Sequence, residues 1–191
     1  ILQQADPNEA KGKEVTVRQV LDKSLPRVAD ELADQPLVQA RLLNLMGRSY
    51  RQIGALDVAV TALEQSSAKI ATAADASVTE RSEIDLEYAR ALADLGRNAE
   101  ALTLLEAMVG RLRAAQIGGA PLATPLSIIG SIHNDLGKFL VAEPYIREAM
   151  QIREQVLPGS PELAITYNNL GFILQQTGRP DQALPIYERA H

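Results

Sequence analysis

The sequence predicts an all-α fold, a right-handed superhelical array of antiparallel helix hairpins. Three observations predict it. Small residues recur in fixed columns with a period of 41–42 residues, seen at Gly54, Gly96, Gly137 and Gly178. The residues between them place apolar side chains at helical spacing. The composition, 46% hydrophobic but only 4% aromatic with no Trp, suits closely packed helices built from Ala and Leu.

The columns define the unit. Gly54, Gly96, Gly137 and Gly178 stand 42, 41 and 41 residues apart. Five residues after each comes Ala59, Ala101, Ala142 or Ala183, and four further on a large residue, Leu63, Leu105, Ile146 or Tyr187. Seven before each Gly lies Gly47, Ala89, Gly130 or Gly171. The later Gly follows a helical stripe such as Leu43, Met46, Tyr50 and Ile53, where a helix must stop in a left-handed conformation. The Ala and the earlier small residue sit where two helix backbones approach closely.

Each unit is therefore a helix A, a Gly turn and a helix B. Helix A is expected over Pro36–Ile53, Thr79–Leu95, Thr124–Leu136 and Pro161–Thr177. Helix B is expected over Leu56–Ala73, Asn98–Ala115, Phe139–Val156 and Pro180–His191. The links read as loops: Ala74–Val78, Gln116–Ala123 with two Gly and a Pro, and Leu157–Ser160. Ser160-Pro161-Glu162 is a helix start, with Ser as cap, Pro in the first turn and an acid at the positive end. In the second unit Asp85 occupies a place that asks for an apolar residue. Ahead of the units, Val17, Val20, Leu21, Val28 and Leu32 fit a helical stripe over Val15–Leu32, which Pro26 should kink or split. Asp6–Glu14 is polar and read as extended. The resulting organisation is an extended segment and capping helix over 1–35, then repeats over 36–78, 79–118, 119–160 and a truncated 161–191.

These units resemble the tetratricopeptide repeat, whose usual period is about 34 residues. The longer unit resembles the repeats of kinesin light chains. Asn168-Asn169-Leu170-Gly171, followed by Gly178-Arg179 and Ala183, carries the likeness best. A narrower resemblance lies in residues 5–52, in Ala5-Asp6-Pro7, Glu14-Val15-Thr16-Val17-Arg18, Glu31-Leu32-Ala33-Asp34-Gln35-Pro36 and Met46-Gly47-Arg48-Ser49-Tyr50. Together these are similar to the start of the repeat region of bacterial eukaryotic-like serine/threonine protein kinases. That resemblance implies a sensory or docking region whose kinase domain and membrane span lie elsewhere in a parent chain. It would place the repeats on the extracytoplasmic, periplasmic side; without a spanning parent they would be cytoplasmic. Ile1-Leu2-Gln3-Gln4 likewise reads as the interior of a longer chain.

Other function classes find little support. A formal net charge of −5 argues against a nucleic-acid partner, which wants a basic surface. No apolar run approaches a membrane span, so no membrane contact is expected of this chain. The absence of Cys removes disulfides and thiolate metal sites. Neither His133 nor His191 has metal-ligand neighbours, and no Ser-His-Asp set, phosphate loop or kinase motif is present. Catalytic residues, metals and cofactors are therefore expected to be none. His133 shares a column with Tyr50, Leu92 and Leu174, which gives it a helix-packing role.

The expected chemistry is a binding surface. In tetratricopeptide arrays helix A lines the concave face, and the residues three before and one, four and five after its small residue should point there. One end of that groove is basic, through Arg41, Arg48, Arg51 and Arg90 with Asn44 beside them. The other is amide-rich with one aromatic: Asn134, Asn168, Gln175 and Phe172, with Gln176 next in line. Arg presents a planar fork of donors to carboxylates, and amides pair with the backbone of an extended segment. The partner read from this is a protein or peptide segment, acidic in part. Leu184, Ile186 and Tyr187 in the last helix suggest an open apolar edge and self-association through it. The readings set against the groove are ordinary solvated helix faces, a structural or oligomerising module, and the effector-sensing arm of a transcriptional regulator.

Overall fold

The computed structural model describes residues 16–190 apart from Ala33; the segment Asp6–Glu14 and His191 lie outside them. Among the described residues are nine helices and no strand. They are α1 (Val17–Glu31), α2 (Pro36–Gln52), α3 (Leu56–Thr72), α4 (Val78–Asp94), α5 (Asn98–Ala114), α6 (Ala120–Asp135), α7 (Phe139–Val156), α8 (Pro161–Gln176) and α9 (Pro180–Glu188). The even-numbered helices are the A helices of the four units. The chain forms two compact units, one ending at Asp75 with α1–α3 and one beginning at Ala76 with α4–α9.

In the first unit α2 and α3 form a hairpin and α1 packs on α2. Thr16 opens α1 with a reciprocal cap, its hydroxyl accepting from the Gln19 amide at 3.3 Å while the Gln19 side chain accepts from the Thr16 amide at 3.1 Å. Pro26 does not split the helix, which runs unbroken through it. Tertiary contacts hold both halves. Leu21, Leu25 and Val28 pack against Met46, Tyr50 and Ala59. Tyr50 donates its hydroxyl to Asp22 at 2.8 Å, and the Gln39 amide donates to the Val28 carbonyl at 3.2 Å. Burial and the Asp22 hydrogen bond push the Tyr50 phenol up to about 12. The expected stripe is thus partly corrected: Leu25 joins it, while Val17 and Val20 are exposed.

In the second unit three hairpins, α4–α5, α6–α7 and α8–α9, follow one another. The A helices lie side by side, α4 on α6 and α6 on α8, while α5 packs on α6 and α7 on α8.

The column residues do what their spacing implies. Each hairpin turn is closed by its Gly in the left-handed region, with φ of 76°, 80°, 70° and 75° at Gly54, Gly96, Gly137 and Gly178. The next amide then returns to the A helix: Ala55 to the Tyr50 carbonyl at 2.9 Å, Arg97 to Leu92 at 2.8 Å, Lys138 to His133 at 2.8 Å and Arg179 to Leu174 at 2.9 Å. The earlier small residues make room for the large residue of helix B. A Cβ at Gly130 would stand 2.5 Å from Ile146 Cδ1, and one at Gly171 would stand 2.6 Å from Tyr187 Cε1.

Two local readings change. Helix α6 begins at Ala120, four residues before the expected Thr124. Gly119 forms its N-cap at φ 67° and ψ −148°, and Pro121 at the second position is already set for a helix. What looked like a loop with two Gly and a Pro is a sharp bend plus a first helical turn. Helix α5 closes on Gln116, which takes the left-handed place that Gly holds elsewhere, φ 56°, so that the Ile117 amide reaches the Leu112 carbonyl at 2.9 Å. Ser160 caps α8 as expected, accepting from the Leu163 amide at 3.2 Å.

Asp85 is buried, and its carboxylate is met by Arg111 of α5. A second buried polar contact lies further along. Arg153 of α7 takes the column held by Ile70 and Leu112, and its guanidinium donates to the hydroxyls of Ser127 on α6 and Thr166 on α8. Burial lowers its pKa.

Candidate binding face

The candidate residues of the sequence lie on the A helices, on α2 in the first unit and on α4, α6 and α8 in the second. In the first unit Arg41, Asn44, Arg48 and Arg51 form one stripe along α2 at spacings of three, four and three. Arg41 and Arg48 are exposed, and Asn44 and Arg51 are half-buried. The three arginines all have interaction partners within the chain. The Asn44 side-chain oxygen is buried with no hydrogen-bond partner.

In the second unit the packing of α4, α6 and α8 puts Arg90, Asn134, Asn168, Phe172 and Gln175 on successive A helices. Arg90 is half-buried and engaged on its own helix, donating to Glu87 at 2.9 Å. Asn134 is half-buried, and its side-chain oxygen lacks a partner. Asn168, Phe172 and Gln175 are exposed along α8. Asn169 ties this stripe to α6 through a hydrogen bond to Ser131 at 3.3 Å. Ser127, in the same column as Asn44 and Asn168, turns inward instead to receive Arg153 at 3.2 Å.

An apolar ledge adjoins Phe172. Its ring meets Phe139 edge-on with centroids 6.1 Å apart, and Leu136, Leu140 and Val141 follow on the surface, Leu140 at 76% exposure. The sequence carries a signal for it outside the repeat columns. Helices α3, α5 and α9 place Asp57, Glu100 and Asp181 in their first turns, where an acid favours the helix dipole; α7 has no acid there.

Two further polar groups are engaged in packing or ion pairing. His133 is buried and stacks on Tyr145 with ring centroids 6.0 Å apart, and burial lowers its pKa. Glu143 of α7 receives two hydrogen bonds from Arg179, at 3.0 and 2.5 Å, and one from Arg147 at 2.9 Å. The Arg179 hydrogen bonds hold its carboxyl below the usual carboxylate range, with Arg147 adding to the effect. Leu184 is exposed at the last helix, whereas Ile186 and Tyr187 pack against the core of the last hairpin. Among the described residues no group of three His, Cys, Asp or Glu side chains is placed to hold a metal ion, and no helix is long and apolar enough to cross a membrane.

Family models for the tetratricopeptide repeat match residues 84–107 and 121–191. These segments are similar to tetratricopeptide repeats. The matches fall on the second, third and fourth hairpins, within the unit that carries Arg90, Asn134, Asn168, Phe172 and Gln175. No curated protein matches the chain significantly in sequence. Several solved structures share its fold. BtubC (BKLC) from P. vanneervenii aligns with a TM-score of 0.75 at 19% identity, over 90% of this chain and 69% of its own. A putative kinesin light chain from Podospora anserina with nearly identical tetratricopeptide-like repeats aligns with a TM-score of 0.67 at 19% identity, over 91% and 86%. The Rap conjugation gene regulator of plasmid pLS20, solved with the Phr* peptide, aligns with a TM-score of 0.67 at 19% identity, over 91% of this chain and 48% of that one. The long hairpins thus have structural neighbours among kinesin-light-chain-like repeats, and the fold is a tetratricopeptide-like helical solenoid.

Proposed function

We propose that this chain is a non-catalytic docking module that holds a peptide or protein segment on the face of its A helices. The observation that carries the reading is the amide chemistry of that face. Asn134 and, in the first unit, Asn44 keep buried side-chain oxygens without a donor, Asn168 stands exposed one turn before Phe172, and the exposed Gln175 after it accepts from the Tyr187 hydroxyl at 3.5 Å. A buried acceptor left unmet is costly, and the backbone amides of an extended segment would satisfy it. Phe172 and its ledge would take the apolar side chains of the same segment. In the first unit, by itself, the Arg41, Arg48 and Arg51 stripe would favour carboxylates, so that a segment held there would carry acidic residues. The Phr* complex of the Rap regulator, a structural neighbour, supports peptide binding as a use of this fold. The sequence pattern of residues 5–52 supports the finer setting, the sensory or docking region of a signalling serine/threonine kinase.

The test is selection of random dodecapeptides displayed on phage against the full chain. Selected peptides should lose at least tenfold in affinity when Asn168→Ala and Phe172→Asp are introduced together. Acidic ones should also weaken with Arg48→Glu. Substituting the exposed Thr103 of α5 with Arg should change nothing. Peptides that ignore the A-face variants, or none selected at all, would overturn the reading.

A further inference from the structure

Between the first turns of α4 and α6 lies a slot of about 240 Å³. Its walls are Thr79, Ser82 and Leu86 on one side and Ala120, Pro121 and Thr124 on the other, with Met108 of α5 also lining it and Glu83 at its edge. We propose that this slot is a side-chain pocket that receives one aliphatic residue, of leucine or methionine size, from the docked segment. The inference rests on the A-face reading and adds to it the identity of an anchor.

Four features of the slot lead there. It opens on the face in question, because Leu86 belongs to the column of Asn44 and Asn168 and precedes Arg90 by one helical turn. Its volume falls below the roughly 300 Å³ at which small-molecule pockets begin, which leaves room for a single side chain. Most of its lining is carbon: Leu86, Met108, Ala120 and Pro121 offer an entering group dispersion contacts and no charge. Ala120 and Pro121 are too short and too rigid to fill the gap themselves. That follows from where α6 begins, since its first turn is built from these two residues.

The fourth feature is polar. Ser82 is buried, and its hydroxyl has no hydrogen-bond partner. Thr79 and Thr124 also line the slot, Thr124 donating its hydroxyl to the Ala120 carbonyl at 3.1 Å, and a few polar groups in an apolar pocket fix the direction of what it binds. Here the Ser82 hydroxyl would donate to the ligand's backbone carbonyl next to the anchor. Glu83 is exposed at the edge, so its carboxylate disfavours an acid adjacent to the anchor and favours Lys or Arg there.

The phage selection also tests this proposal, with synthetic copies of the selected peptides titrated by calorimetry. The peptides should share one Leu, Met or Ile position, flanked by basic rather than acidic residues. Replacing that residue with Ala should cost about tenfold to a hundredfold in affinity. Filling the slot from one wall with Ser82→Met, and independently from the other with Ala120→Leu, should cost as much. Circular dichroism on both variants keeps a folding defect distinct from a filled pocket. Ser82→Ala, which leaves the slot open, should cost only about twofold to tenfold. Peptides that bind both filled variants as tightly as the parent, or that share no aliphatic position, would overturn the pocket and leave the A-face reading intact. A selection that yields no binder would remove both.

Discussion

Removing Arg111 should destabilise the second unit far more than removing the acid it serves. Asp85 is 3% exposed and stands in the column that Leu43, Leu126 and Tyr167 hold in the other hairpins. Its carboxylate is paired with Arg111, whose side chain is 33% exposed. Arg111→Ala leaves the carboxylate buried without that partner, and breaking a buried pair this way costs about 3–5 kcal/mol. The open side of Arg111 lets water reach the gap, which places the expected loss near the lower end, about 3 kcal/mol or a hundredfold in the unfolding constant. Asp85→Leu instead restores the apolar column and leaves an arginine that reaches solvent, so its cost should stay within about 1 kcal/mol. In the Asp85→Leu background Arg111→Ala should then be nearly silent. Equilibrium urea unfolding at pH 7, followed by far-ultraviolet circular dichroism for all four proteins, gives the cycle directly. The reasoning is refuted if Arg111→Ala lies within about 0.5 kcal/mol of the parent, below the usual range for a buried pair. It is equally refuted if Asp85→Leu costs as much as Arg111→Ala.

Two further outcomes follow from the hairpin packing. Gly130→Ala should lower stability by about 1–3 kcal/mol even though Ala is the better helix former, because its Cβ would press on Ile146. Thermal melts should show the loss and its partial recovery on adding Ile146→Val; a melting point unchanged by Gly130→Ala would contradict the close approach. Glu143 gives a pH dependence. Its folded pKa lies below the usual range, so its pairing contributes stability above the unfolded value of about 4.3, and that contribution is lost as pH falls through the folded value. Arg179→Gln should therefore reduce the drop in urea midpoint between neutral and acidic buffer, and an identical drop in both proteins would rule the pairing out as its source.

The hairpins were legible because their columns are geometric necessities repeated four times. Gly47 opposite Leu63, Gly130 opposite Ile146 and Gly171 opposite Tyr187 are one packing solution written with different residues. Features that occur once could not be read this way. The start of α6 was hidden because Gly and Pro mark both loops and helix starts, and only the backbone shows that Gly119 turns the chain while Pro121 is already helical. Pro26 was weighed by its local cost, whereas the Tyr50 and Gln39 hydrogen bonds that hold α1 come from residues 28 and 11 positions away.

The candidate face shows the same division more sharply. Column arithmetic assigns a direction to each position, and for Asn168, Phe172 and Gln175 that direction ends in solvent. It says nothing of competing partners. Ser127 holds the same column position as Asn168 but is drawn into the core, because Arg153 replaces an aliphatic residue on α7 and must be met by hydroxyls from both neighbouring A helices. Arg90 keeps its place but leans on Glu87. One unusual residue in a core column thus changes which chemistry reaches the face opposite it. The same coupling bears on Leu86, since the side chain that fills this column in α4 is apolar and the slot beside it is empty of any charge but Glu83. A face whose composition is set by what the core beneath it demands will differ from hairpin to hairpin even where the hairpins superpose. A segment docked as proposed would then meet the row of A helices in the second unit as a sequence of unlike contacts: Leu86 against an aliphatic side chain, Asn134 and Asn168 against backbone amides, and Phe172 against an apolar group.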